Sequence, residues 1–254
     1  MNQKTAAIIL AAGRGSRLKS TTVNKVALPF QGKPIIEYAV TVMEAVADPV
    51  VVVIGAFADS VKDALKNHPR VIYADQTEQL GTGHATSVGL KALIDHSPAL
   101  ILVGYGDHMM FYKPGTLQKL IDLHHEKHAV MSLITVSHEK PSELAWGRIV
   151  RDEHDNITKS VEQKDANDDE IGITELNAGF YVFDAQFLTE NVDTIPQSEV
   201  SGEYYLNALI ETAVAHNKHV AGLIVPFEEV GIGINRAEEL EASQTLHMSL
   251  RNEV

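Results

Sequence analysis

Three short runs in the first 103 residues, at 6–11, 50–54 and 99–103, are almost unbroken Val, Ile, Leu and Ala. A strand with one face in water alternates apolar and polar residues. Unbroken apolar runs of this length instead fit strands covered on both faces. Apolar residues at helical spacing lie between them, over 34–46, 59–66 and 84–94, and Pro34 suits a first helical turn. Strand and helix in alternation predict parallel strands joined by right-handed crossovers. The expected class is therefore α/β, a Rossmann-like mixed, mostly parallel sheet flanked by helices.

The second half reads differently. Strands are expected at 130–136, 177–183 and 220–225, a hairpin at 147–152 and 157–163, and helices at 203–216 and 237–250. This half is richer in strand and mixed in direction. With no repeat and no low-complexity linker, a single domain over 1–254 is expected, in two halves that divide at about residue 110. The acidic stretch 165–170 reads as a surface loop.

Charge narrows the partners. The formal net charge of −13 leaves no basic face for nucleic acid or an anionic membrane, so neither partner is expected. With no cysteine, disulfides, thiolate metal sites and cysteine nucleophiles are excluded. Apolar runs stop well short of the roughly 20 residues that span a bilayer, and no secretory leader is legible. A cytoplasmic location is expected.

The first apolar run ends in Leu10-Ala11-Ala12-Gly13-Arg14-Gly15-Ser16-Arg17. Ligands of open α/β sheets bind at the carboxyl ends of strands. Glycine lets backbone N–H groups approach phosphate closely. Arg14, Arg17 and Lys25 add positive charge beside the loop. Two common phosphate motifs fail: no Gly-Lys-Ser/Thr follows, and the third residue after Gly15 is Leu18 rather than glycine.

With the lysine that follows, this loop resembles the signature of the sugar-1-phosphate nucleotidyltransferases. The likeness is strongest to the uridylyltransferase (pyrophosphorylase) domain of the bacterial bifunctional N-acetylglucosamine-1-phosphate enzyme. Further segments match in order. They are Gln76 with Glu78 to Ala85, Tyr105-Gly106-Asp107, Gly147-Arg148-Ile149, Val161 to Ala166, Asn177-Ala178-Gly179, Gly202-Glu203-Tyr204-Tyr205 and Gly233-Ile234-Asn235. Each motif is weak, but their order across residues 5–245 is specific.

The resemblance implies the nucleotide-diphospho-sugar transferase type of this fold, with a nucleotide-binding half to about residue 110 and a sugar-binding half after it, and a set of roles. Leu10, Ala11, Ala12, Gly13 and Gly15 would cradle the phosphates of a nucleoside triphosphate. Arg17 and Lys25 would stabilise charge as pyrophosphate departs. Gln76, Gln79, Gly81 and Thr82 would sit against a pyrimidine, uracil preferred, since a side-chain amide offers both donor and acceptor. Thr82 is also expected to help start the helix near His84. Asp107 and Asn235 would hold Mg²⁺, the implied cofactor, with waters and phosphate oxygens completing its shell. Gly147, Glu162, Asn177 and Tyr205 would bind the sugar 1-phosphate, with Lys164 near its phosphate.

Four departures lie in or between these motifs, one of them an extra residue separating Arg17 from Lys25. Asn24 stands where the family usually carries proline before the lysine, Trp146 where tyrosine is common before Gly147, and Asn207 where threonine is expected. The last two leave the acceptor open: a sugar alcohol phosphate or phosphocholine, and another base, remain alternatives, as does a non-catalytic sugar-nucleotide-binding regulator. The bifunctional members also carry a β-helix acetyltransferase. No hexapeptide repeat is present, so acetyl transfer is not expected. His124, His125 and His128 lack a zinc-binding spacing and read as a solvated helix end.

Overall fold

The computed structural model describes residues 4–15 and 22–252, with side chains up to residue 250. The first half contains β1 (Thr5–Leu10), a small antiparallel hairpin of β2 (Pro29–Phe30) and β3 (Lys33–Pro34), α1 (Ile35–Glu44), β4 (Val50–Ile54), α2 (Ala58–Ala64), β5 (Ile72–Asp75), α3 (Thr82–Lys91) and β6 (Leu100–Tyr105). The second half contains α4 (Pro114–Glu126), β7 (Met131–Ser137), β8 (Gly147–Arg151), β9 (Ile157–Val161), β10 (Glu175–Asp184), α5 (Ala185–Asn191), α6 (Leu209–Ala215), β11 (Val220–Ile224), α7 (Phe227–Val230) and α8 (Ala237–Asn252).

The main sheet runs β11-β7-β10-β6-β1-β4-β5, with β8 on β10 and β9 on β8. β6, β1, β4 and β5 are mutually parallel, as the alternating pattern requires. β10 runs antiparallel to β6, β7 and β8, while β11 is parallel to β7. The class is the expected one: a mixed, mostly parallel sheet flanked by helices.

The unbroken apolar runs are explained by burial on both faces. Ala7, Ile9 and Val52 face one cluster with Ile36, Val40 and Met43 of α1 and Leu117 and Leu120 of α4. Their neighbours Ala6, Ile8, Val51 and Val53 face the opposite cluster, with Ala85 of α3, Leu188 of α5 and Leu209 of α6. All five residues of β4 are buried. At roughly 1.5–3 kcal/mol for each fully buried aliphatic side chain, this strand is a major contributor to the core. A third cluster seats Leu240 and Leu246 of α8 against Phe30, Phe111 and Ile234. It fixes the chain segment carrying Asn235.

Three differences from the sequence reading have physical causes. The helix expected over 203–216 is only its last half. Residues Glu203 to Tyr205 are not helical, because the Tyr204 backbone donates to Leu80 O (2.8 Å) and accepts from Gly83 N (2.7 Å). A 3-10 turn at Leu206–Ala208 then leads into α6. Pro34 lies just outside α1, at its N-cap rather than in its first turn. Finally, β5 and α4 were not expected: β5 has only four residues, whereas α4 was missed although Leu117, Leu120 and Ile121 fall at helical spacing on its buried face.

Candidate active site

One cleft of about 610 Å³ opens at the carboxyl ends of β1, β5 and β6 and continues over β8 and β10. It is lined by Leu10 to Gly15, Lys25, Gln76, Gln79, Gly81, Thr82, Asp107, Gly147, Glu162, Asn177, Tyr205 and Asn235. These are the sequence-selected site residues, drawn from both halves, with two exceptions. Lys164 is not part of the lining. Arg17 lies outside the described residues.

The phosphate-loop end is built from backbone. Leu10, Ala11 and Ala12 are buried, while Gly13 and Arg14 are exposed. Ala11 N donates to Val53 O (2.9 Å) and Ala12 O accepts from Ala56 N (3.2 Å), tying the loop to β4 and its following turn. Asn24 completes the tie. It is 1% exposed, and its amide Nδ2 donates toward Ala11 O (3.2 Å), Gly13 O (3.1 Å) and Ala56 O (2.8 Å). Its Oδ1 accepts from Val26 N, capping the 3-10 turn Lys25–Ala27. The residue that departs from proline thus braces the loop with its side chain. The sequence noted the departure but gave it no role, because its partners lie 11 and 32 residues away.

Lys25 leaves that turn and reaches across the cleft. Its ammonium pairs with the Asp107 carboxylate and donates to Asn235 Oδ1 (3.0 Å) and Ile234 O (2.9 Å). Asp107 follows β6 in a turn whose Gly106 N donates to Leu10 O (3.0 Å), and its own carbonyl accepts from Ile234 N (3.1 Å). Three oxygens from two distant segments, at residue 107 and at residues 234–235, therefore converge on one cation. Among the described residues there is no group of three or more His, Cys, Asp or Glu that could hold a metal.

Gln76 is buried at the end of β5. Its Nε2 donates toward Gly81 O (3.3 Å) and lies 3.0 Å from His84 Nδ1. Gln79 is exposed at the rim. Thr82 departs from expectation. The helix begins at Thr82 itself, and Gly81 (φ +107°) occupies the cap without a side-chain bond. The Thr82 hydroxyl instead accepts from Leu206 N (3.0 Å), joining α3 to the 3-10 turn before α6.

On the opposite side, β10 changes partner midway. Its Leu176 and Asn177 pair with Arg148 and Gly147 of β8, and from Phe180 onward it pairs with β6. The register shifts between Asn177 and Tyr181. Gly179 makes this possible: its φ is +73°, and a Cβ would fall 2.3 Å from the Tyr105 ring. Asn177 Oδ1 accepts from Gly179 N (2.9 Å), and its Nδ2 donates to Tyr181 OH (2.9 Å) and Ser160 Oγ (3.1 Å).

Glu162 follows β9 and accepts from Asn207 Nδ2 (3.0 Å). Burial pushes its carboxyl above the ordinary range, with Lys164 opposing and Asp165 adding to the rise. Lys164 sits over the Tyr205 ring at 5.1 Å, and the Tyr205 hydroxyl donates to Ser201 Oγ. Trp146 stands at the cleft wall, edge-on to His108 (4.7 Å) and stacked on Phe227 (6.0 Å). His108 is buried, and burial lowers its pKa against the opposing charge of Asp107.

A family model described as the MobA-like NTP transferase domain matches residues 7–166. The chain belongs to that family. It is a nucleotidyltransferase. It is 34% identical over 250 residues to the bifunctional protein GlmU of Geotalea daltonii, covering 97% of this chain and 53% of that protein. Identity to the bifunctional protein GlmU of Geotalea uraniireducens is 38% over 244 residues, covering 95% and 52%. For that of Exiguobacterium sibiricum it is 38% over 248 residues, covering 97% and 54%. The chain thus spans about half the length of these curated relatives.

Within this nucleotidyltransferase, several cleft residues went unselected by sequence: Asn24, Tyr105, His108, Tyr181 and Glu203. Tyr105 and Glu203 lay inside quoted motifs, whereas Tyr181 carried no local mark. The histidine trio also needs correction. His124 is not solvated but buried, with Nδ1 2.9 Å from Ser132 Oγ, and burial lowers it to about 4. His125 and His128 are exposed. Among the described residues, no helix is long and apolar enough to cross a membrane.

Proposed function

We propose that this nucleotidyltransferase joins a sugar 1-phosphate, N-acetylglucosamine 1-phosphate foremost, to UTP, releasing pyrophosphate. The observation that carries the reading is the convergence of Lys25, Asp107 and Asn235 at the junction of two differently built ends of one cleft. The loop from Leu10 to Gly15 serves the triphosphate, and Gln76, Gln79, Gly81 and Thr82 serve the base. Gly147, Glu162, Asn177 and Tyr205 serve the sugar.

The acceptor's phosphate oxygen attacks the α-phosphorus, and the bond from that phosphorus to the bridging oxygen breaks toward pyrophosphate. No obligate general base is needed, because the nucleophile is already anionic. Catalysis then rests on positioning and on stabilising charge, the work assigned to Lys25 and Arg17. The Asp107 carboxylate, the Asn235 amide oxygen and the Ile234 carbonyl already converge on the Lys25 ammonium. Such hard oxygen donors suit Mg²⁺, which takes few protein ligands beside phosphates and waters. Asp107 and Asn235 would hold it, and when bound it would offset phosphate charge. A nucleotide-consuming enzyme of this kind belongs in the cytoplasm.

Trp146 and Asn207 favour keeping a different acceptor in view. A matrix of the four nucleoside triphosphates against several sugar 1-phosphates, read by pyrophosphate release, tests the reading. Turnover peaking with UTP and N-acetylglucosamine 1-phosphate is expected. A peak elsewhere reassigns the substrates, and no release with any pair sinks the reading.

A further inference from the structure

Three of the four residues proposed for the sugar converge on one pair of side chains that do not line the cleft. Ser160, on β9, is 7% exposed. Its Oγ accepts from Asn177 Nδ2 (3.1 Å) on β10 and from Asn207 Nδ2 (3.3 Å) in the 3-10 turn before α6. A hydroxyl oxygen has two acceptor sites, so both are taken. The same oxygen lies 2.7 Å from where a Cβ on Gly147 would stand, so it also fixes the need for glycine there.

Asn207, 5% exposed, continues the chain of contacts. Its Nδ2 has two hydrogens and three acceptors within reach: Ser160 O (3.1 Å), Ser160 Oγ and Glu162 Oε1 (3.0 Å). One hydrogen serves the carboxylate and the other is shared between the two Ser160 oxygens. Donating to an ionised carboxylate is the strongest of these bonds. It holds one Glu162 oxygen and so fixes the orientation of the group. β8, β9, β10 and the turn before α6 are thereby locked at one point beneath the cleft.

We infer that Ser160 and Asn207 are positioning residues that set the acceptor subsite through Gly147, Asn177 and Glu162 without touching the nucleotide end. The inference rests on the reading of those three residues as the sugar side. The Asn24 brace serves the loop separately and shares no bond with this pair. Losing one member therefore penalises the acceptor and leaves the triphosphate alone.

Ser160→Ala deletes one oxygen from a strand whose ladder stays intact, and Asn207→Leu removes the donor to Glu162. Each is compared with the wild type in steady-state kinetics with UTP and N-acetylglucosamine 1-phosphate. KM for the sugar phosphate should rise on the order of tenfold for Asn207→Leu, the scale of one hydrogen bond to a charged group, and severalfold for Ser160→Ala, whose bonds join neutral groups. KM for UTP should stay within about twofold, a split that general loosening of the fold would not produce. Asn207→Leu should also move the acid limb of kcat/KM for the sugar phosphate to higher pH, because the carboxylate loses the donor that favours its ionised form. Equal rises in both KM values, or an unchanged acceptor KM in both variants beside an active wild type, overturn the inference alone. Wild-type protein that makes no pyrophosphate with any sugar 1-phosphate overturns the uridylyltransferase reading and this inference with it.

Discussion

The two ends of the cleft are built by different means. At the nucleotide end, β1, β4, β5 and β6 are parallel, so their carboxyl ends fall along one edge and each delivers a short contiguous loop. At the acceptor end, Gly147, Glu162 and Asn177 come from three segments brought together by antiparallel pairing and a register shift. Backbone geometry makes the first end, with the Asn24 side chain bracing its phosphate loop. A side-chain network makes the second, pivoting on Ser160 and Asn207. Loops at parallel strand ends tolerate changes of chemistry beyond them, whereas a network couples every member to the rest.

The largest break in this comparison should come where the two ends meet. Asp107→Ala removes the carboxylate that faces Lys25 and the proposed metal position. Turnover is expected to fall by orders of magnitude while the circular dichroism spectrum stays native, since Asp107 is only half-buried in a turn. Near-normal pyrophosphate release would remove Asp107 from the chemistry.

A smaller effect should separate the ends. Asn24→Ala leaves three carbonyls without their amide donor, at a cost of roughly 2 kcal/mol in denaturant unfolding. It should raise KM for UTP more than KM for the sugar phosphate, the mirror image of Ser160→Ala. A variant that raised the acceptor KM instead would show that the two ends are not independent.

The smallest effect concerns the strand beneath the acceptor end. Burial alone would raise the Glu175 carboxyl. The fork from Arg151 (2.7 and 2.8 Å) and the Thr135 hydroxyl (2.8 Å) outweigh it and hold the carboxyl below its ordinary value. A depressed carboxylate stabilises the fold above its unfolded pKa, and that contribution is lost as pH falls through the folded value. Denaturant midpoints should therefore drop on acidification below about pH 4.5, the ordinary carboxyl value. Glu175→Gln should flatten part of that drop. An unchanged slope in the variant would assign the acid loss to other carboxylates.

Legibility in the sequence followed the same divide. The runs at 50–54 and 220–225 and the glycine loop after β1 were readable because neighbours in sequence are neighbours in space. The side chains of Gln76, Asp107 and Asn235 were readable as motif members, though not their convergence on Lys25. The partner of Thr82 was missed, since Leu206 lies 124 residues away. The extended path at Glu203 to Tyr205 was missed for the same reason, because backbone bonds to Leu80 and Gly83 override helical spacing.

The sequence by itself determined the α/β class, the β1 and β6 ends that line the cleft and the identities of most of its residues, because burial periodicity and glycine placement act locally. Only the tertiary structure decided that the Lys25 ammonium lies between Asp107 and Asn235, that Asn24 braces the loop, and that one serine oxygen accepts from both Asn177 and Asn207. Those contacts are hydrogen bonds and an ion pair between segments far apart in the chain. Their partners are chosen by strand order and register, which no local pattern encodes.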